Sequence, residues 1–218
     1  MTANFETELD ALRQKILLMA SHAERAVHQS VQSLIQRDDE LATRVHQDDE
    51  ILDSLEVEID ELINLLLIKA PLAGDLRLIP VAMKISQNLE RIGDEATKIA
   101  KCAKDLAREP ALKINFDIQI IARNTINMLK DALNAFAQLD PFAARAVIPR
   151  DKQIDELNKE IHQILVQHMS GNPETIGRCL HWIVAAKSLE RIADHAKNIA
   201  EAAVYLCEGE DIRHAMKN

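Results

Sequence analysis

Rings, glycines and cysteines are scarce in this chain. Aromatic residues make up 3 % of its 218 residues, with one tryptophan (Trp182) and one tyrosine (Tyr205). A core so poor in rings has to be built from Leu, Ile, Val, Ala and Met. That suits packed helices better than sheets, where aromatic and β-branched side chains are enriched. The three cysteines, Cys102, Cys179 and Cys207, lie far apart and match no zinc-binding spacing. They read as reduced thiols of a cytoplasmic protein. Positive charge is also short: 26 Lys and Arg stand against 35 Asp and Glu, a formal net charge of −9. Without a basic block the chain lacks the electrostatic footprint for nucleic acid or anionic lipid. Aliphatic runs such as Leu65 to Ile68 fall well short of the roughly 20 residues that span a bilayer, so no membrane insertion is expected. Met1-Thr2-Ala3-Asn4-Phe5-Glu6 has neither the charged start nor the apolar stretch of a secretory signal. Catalytic signatures are missing too: the sequence contains no GxGxxG, P-loop, GxSxG or HExxH. It also has no Glu-x-x-His, which the di-iron oxidases of the ferritin-like class require.

What is present is helical periodicity. Apolar residues recur at alternating spacings of four and three in six stretches. The first runs from Phe5 through Leu12, Ile16 and Met19 to Ala26. The second runs from Leu41 through Val45, Leu52, Leu55 and Ile59 to Leu62, with Asp48 in one seam position. The third runs from Leu78 to Leu106, the fourth from Ile118 to Leu139, the fifth from Val147 to Ile164 and the sixth from Trp182 to Leu206. This spacing puts one seam along each helix and favours near-antiparallel bundle packing. Breaks fall at Arg37-Asp38-Asp39, at Pro71 to Asp75, at Glu109-Pro110, at Asp140-Pro141 and at Gly171-Asn172-Pro173. Asp140-Pro141 reads as an N-cap followed by proline at the first helical position. Pro80 marks the first turn of the third helix, and Pro149 is expected to kink the fifth.

The two halves repeat. Leu89-Glu90-Arg91-Ile92-Gly93-Asp94 recurs as Leu189-Glu190-Arg191-Ile192-Ala193-Asp194, 100 residues on. Asp49, Asp53, Leu55, Glu58 and Ile59 recur 102 residues on as Asp151, Asp155, Leu157, Glu160 and Ile161. The fold expected is therefore all-α: two tandem antiparallel three-helix bundles, residues 1–109 and 110–218, related by internal duplication.

The repeats carry acids in pairs four apart: Asp49/Asp53 and Glu90/Asp94, then Asp151/Asp155 and Glu190/Asp194. Residues i and i+4 share a helix face. The midpoint between the first two pairs falls between residues 71 and 72, inside the Pro71 to Gly74 turn. That between the second two falls between residues 172 and 173, inside the Gly171 to Pro173 turn. Each hairpin thus brings four carboxylates to one height, at the rim of its bundle. Like charges so arranged repel unless something offsets them. Lys98, Arg91, Lys197 and Arg191 are near enough in sequence to do so, and a bound cation would do so better. An oxygen-only ligand set suits magnesium, manganese, calcium or iron, and admits zinc. Arg91 stands four before Glu95, the spacing of a helical ion pair, and His195 reads as a surface residue.

With the repeated Glu-Arg-Ile-x-Asp, the Asp-x-x-x-Asp helices and the tandem bundles all in order, essentially the whole chain resembles the PhoU family. The resemblance implies that Asp49, Asp53, Glu90, Asp94, Asp151, Asp155, Glu190 and Asp194 are metal ligands on the bundle surface. It implies a cytoplasmic, commonly dimeric negative regulator of phosphate uptake and of the phosphate-starvation response, not an enzyme. Its partners would be the ATPase subunit of a phosphate ABC transporter and a sensor histidine kinase. Gly93, where the second copy has Ala193, departs from the repeat and is expected to leave the ligands intact. Two other readings of the acids stay open: a metal-dependent phosphohydrolase, and a plain helical scaffold with solvated carboxylates.

Overall fold

In the computed structural model the described residues are 2–69 and 77–213, with side chains described for 5–68 and 77–213. They form seven α-helices and no strand. The helices are α1 (Thr2–Gln36), α2 (Asp39–Lys69), α3 (Leu78–Ala107), α4 (Ile118–Gln138), α5 (Pro141–Val147), α6 (Asp151–Gly171) and α7 (Ile176–Glu208). Helices α1, α2 and α3 pack on one another as the first bundle. Helices α4, α5, α6 and α7 form the second. The expected turn at Pro71 to Gly74 lies outside the described residues.

The breaks have local causes. After α1, Arg37 takes a left-handed backbone, φ 57°. Asp38 then caps α2 by accepting a hydrogen bond from the Leu41 N–H at 2.9 Å. The Arg37 guanidinium reaches across to the carbonyls of Leu106 and Glu109 at the end of α3. There it adds a charged donor to a carbonyl of the last turn and to one just beyond it. Asp140 accepts from Phe142 and Ala143 N–H, and Pro141 takes the first helical position, as the sequence implies.

One expectation needs correction. The fifth helix is not merely kinked at Pro149. It is divided into α5 and α6 by a 3-10 turn, Ile148–Arg150, and Asp151 becomes the first residue of α6. The missing proline N–H and the ring's clash with the preceding turn account for the break. Residues 141–171 still cover the same span as the unbroken α2, 102 residues on.

The seams bury as the periodicity implies, with a drift. Leu52, Leu55 and Ile59 are buried, but the last turns of α2 bury Ile63 and Leu66 and leave Leu62 at the edge. In α6 the buried residue is likewise Leu165, while Ile164 is exposed. A straight helix repeats at 3.6 residues and slips past a strict 3.5 seam over several turns.

The most extensive contact between helices joins the two repeats, α3 against α7. The partners run antiparallel: Asn88 meets His195 at 2.9 Å, and Glu95 meets Arg191 at 3.2 Å. Ser188 faces Glu95 as Asn88 faces His195, so a pseudo-two-fold axis passes between the helices. The linker crosses nearby and stacks Phe116 edge-on against Trp182, with ring centroids 5.1 Å apart. All three cysteines are free, Cys102 and Cys179 buried and Cys207 half-buried.

Asp140 holds two otherwise open N–H groups at the start of α5. Asp140→Ala is expected to cost about 1 kcal/mol of stability, the usual worth of such a cap, read as a lower urea midpoint with an unchanged slope.

Candidate metal centre

The eight carboxylates sit on α2 and α3 in the first repeat and on α6 and α7 in the second. In each repeat the two helices hold their acids level, and each acid feels the field of those facing it. Burial raises the pKa of Asp49 above the ordinary carboxylate value; the Thr97 hydroxyl pulls it down and Asp53 and Asp94 push it up. Glu90 is raised by burial and by Asp94, with smaller contributions from Glu56 and Asp53. Asp155 is raised by burial and then by Asp151 and Glu190. Asp194 is pushed up to about 6, by burial first and then by Asp151, Glu190 and Asp155. The acids that the hairpin midpoints set opposite one another therefore lie within electrostatic reach in both halves.

Depth differs from the expectation. Asp53 is exposed, and Asp49, Glu90, Asp94, Asp155 and Asp194 lie half-buried at the rim. Asp151 and Glu190 are not rim residues: they are only 5 % and 9 % exposed. Pro149 brings Asp151 to the start of α6 and against α7, where Lys197 covers it. Lys197 Nζ is 2.7 Å from Asp151 Oδ2, while Oδ1 is buried without a hydrogen-bond partner. Lys187 Nζ stands 2.5 Å from Glu190 Oε2. The contact is ionic but not aligned as a hydrogen bond, so this buried oxygen also has none.

Of the four basic side chains suggested by sequence proximity, Arg91 and Lys197 pair with cluster acids, while Lys98 and Arg191 do not. Arg91 bridges Glu90 at 3.3 Å and Asp94 at 3.2 Å, not Glu95. Glu95 turns inward to the inter-repeat contact, where Lys98 and Arg191 hold it at 2.9 Å and 3.2 Å. Burial works against its charge, but hydrogen bonds from Lys98, Ser188 and Arg191 keep its carboxyl below the usual range. His195 is not a surface residue either. It is half-buried against Asn88, and burial lowers its pKa. The sequence reading also missed Glu56, whose field reaches Glu90 and which is itself raised by burial, Asp60 and Asp53. The signal was available, since Glu56 stands three residues after Asp53 on the same helix face.

Gly93 has a reason of its own. A Cβ there would lie 2.5 Å from Leu52 Cδ1 and 3.1 Å from Asp49 Oδ1. Leu52 is fully buried, so it has little room to give way beside Asp49. The departure from Ala193 serves the first cluster.

As placed, the carboxylates surround a common region without converging on one point. Among the described residues no three His, Cys, Asp or Glu side chains are gathered as the ligands of an ion. Arg91, Lys187 and Lys197 pair with some of them instead. The chemistry nonetheless fits a hard cation: the donors are all oxygen, two buried oxygens lack hydrogen bonds, and several acids have raised pKa values.

The comparisons bear on the whole chain. The model of the PhoU domain matches twice, over residues 16–103 and 118–203, which are the two repeats. The chain belongs to the PhoU family. The phosphate-specific transport system accessory protein PhoU homolog of Pseudomonas putida is 41 % identical over 216 residues, covering 98 % of this chain and 84 % of that protein. The PhoU accessory protein of Escherichia coli K12 is 33 % identical over 215 residues, covering 98 % and 89 %. The crystal structure of PhoU from Pseudomonas aeruginosa superposes with a TM-score of 0.92 at 38 % identity, covering 94 % of this chain and all of that one. The phosphate transport system regulatory protein PhoU from Streptococcus pneumoniae superposes at 0.86 with 27 % identity, covering 95 % of this chain and 98 % of that one. The PhoU fold, with its duplicated bundle, is thus shared over 94–95 % of the chain.

Two outcomes are expected. Gly93→Ala gains roughly 1 kcal/mol of helix propensity but overpacks Leu52 at a typical cost of about 1–3 kcal/mol, so a net loss of about 1 kcal/mol should appear in denaturant melts. The second concerns pH. Asp194 has a folded pKa near 6 against an ordinary value of 3.8, so the folded state holds the extra proton between those values. Its contribution therefore favours folding below pH 4 and is lost as pH rises through about 6. Chelator-treated protein should melt higher at pH 5 than at pH 7, and Asp194→Asn should flatten that slope.

Proposed function

We propose that this PhoU-family chain is a cytoplasmic accessory protein that restrains phosphate uptake and the phosphate-starvation response. In this reading it is an adaptor between the ATPase subunit of a phosphate ABC transporter and a sensor histidine kinase, it acts as a homodimer, and it is not an enzyme. The observation that carries the proposal is the pair of four-carboxylate clusters, one on each hairpin of a chain that matches PhoU proteins end to end. The relatives from P. putida and E. coli are named as accessory proteins of phosphate-specific transport, and that role is brought here from them. Among the described residues no helix is long and apolar enough to cross a membrane. Movement of phosphate across a bilayer would then belong to another component, with this chain acting on it by contact.

The acidic residues would hold cations in two places: Asp49, Asp53, Glu90 and Asp94 with Glu56 close by, and Asp151, Asp155, Glu190 and Asp194. A bound divalent or trivalent ion, whether iron, manganese, zinc, magnesium or calcium, would supply the positive charge that these carboxylates lack. The residues themselves do the remaining work. Leu52, Leu89 and Leu189 anchor the helices in the core beside the acids. Arg91 and Lys197 keep part of the charge balanced when no ion is bound. The resulting surface is stiff, because its backbone is wholly helical and packed on one side, and that suits a docking face for two partners in turn.

Elemental analysis of gently purified protein, beside a Glu90→Ala, Asp94→Ala, Glu190→Ala, Asp194→Ala variant, tests the metal part. Metal in the parent at one or more ions per chain and none in the variant is the expected result; a parent that stays empty after soaking with each ion would refute it. Co-purification with the transporter ATPase and the kinase sensor region tests the adaptor part, and retention of neither would sink it.

A further inference from the structure

The two carboxylate clusters occupy matching places in the duplicated fold, yet their surroundings differ at three matching positions. Where the first repeat has Thr97 beside Asp49, the second has Lys197 on Asp151, the counterpart of Asp49. Where the first has Gln87, the second has Lys187 against Glu190. Where the first adds a fifth acid, Glu56, the second has Asn158. The first cluster therefore sets five carboxylates against one guanidinium, that of Arg91, whose side chain is 63 % exposed. The second sets four carboxylates against two ion-paired ammonium groups, Lys197 on Asp151 and Lys187 on Glu190, both of them buried acids. An exposed ion pair is weak and easily exchanged. A buried one is held more firmly, because removing one partner leaves an uncompensated charge out of water. Even so, the second cluster is not saturated. Asp151 Oδ1, on a side chain more than nine-tenths buried, has no hydrogen-bond partner.

We propose that Lys197 is a built-in competitor for the cation of the second repeat, so that the two sites differ in affinity, the first taking an ion by releasing only the exposed Arg91 and the second only by displacing an ammonium paired to a buried carboxylate. This rests on the metal reading above. Lys197 Nζ sits at hydrogen-bond distance from one oxygen of the carboxylate that faces the hairpin, where an incoming cation needs the same electron pairs. An ion entering the second cluster has to break that contact and move the ammonium toward solvent. The stem is long enough to allow this, and the Lys197 side chain is already one-third exposed. The same lysine holds the cluster together when no ion is present, so the second repeat is stable without metal while the first depends on it more.

Lys197→Thr, which installs the residue found at the matching position of the first repeat, tests the inference on the full chain. Chelator-treated parent and variant are titrated separately with Mn²⁺, Fe²⁺ and Zn²⁺, with bound ion counted by equilibrium dialysis and melting followed in parallel. In the parent, two classes of site at least tenfold apart in Kd are expected. In the variant the weaker class should tighten at least tenfold, the metal-free protein should melt lower, and saturating ion should restore the melting point. Lys197→Arg, which keeps the charge, should retain the weak class. Equal affinities in parent and Lys197→Thr, with metal bound by both, overturn the competitor role while leaving the metal reading intact. A variant that melts lower and tightens for no ion overturns it as well, since the lysine is then a structural ion pair only. No ion bound by either protein overturns both.

Discussion

Carboxylates repel one another, and in this protein apolar packing forces them to do so at close range. The seams of α2, α3, α6 and α7 fix the height and rotation of each helix. With those set, Asp49, Asp53, Glu90 and Asp94, and their counterparts in the second repeat, have little freedom to separate. Burial first, and then the fields of neighbouring acids, raise the pKa values of Asp49, Glu90, Asp155 and Asp194. Core and site are thus two sides of one arrangement: the energy that holds the acids together comes from Leu52, Leu89, Ile92, Leu189 and Ile192, all fully buried. A cation, whether bound from solution or carried on a lysine stem, relieves a strain that the fold imposes.

Much of this was legible in the sequence because it depends on spacing. The helical stretches, the duplication and the juxtaposition of the acids follow from periods of three and four and from two offsets. What escaped depends on side-chain direction and on contacts between repeats. Arg91 has three acids within reach on its own helix, Glu90 beside it, Asp94 at three residues and Glu95 at four. Only the packing of α3 on α7, which turns Glu95 inward, decides among them. His195 looked exposed because no pattern within one repeat tells which helix face will meet the other repeat. Pro149 pointed to a bend, but that the chain would leave α-helix for a 3-10 turn and bury Asp151 follows from how α6 lies on α7.

Glycine 93 shows how a departure from a repeat can carry information. Compared with Ala193 it looks like drift. In place, it is the position where a single methyl group would collide with Leu52 and crowd Asp49. Where two copies of a motif differ, the neighbours from the other helix are the first place to look for the reason.

The pseudo-two-fold axis between α3 and α7 has an evolutionary consequence. Such an axis is what a symmetric pair of single-repeat chains leaves behind when the two are fused into one. In the unfused pair every residue near the axis would occur twice, and a change on one side would be forced on the other. Fusion lifts that restriction. Asn88 and Ser188 now differ, as do Glu95 and His195, Gly93 and Ala193, and Thr97 and Lys197. The chain can thus hold one acidic centre open to its surroundings and keep its twin partly closed, a division of labour that a strictly symmetric ancestor could not encode.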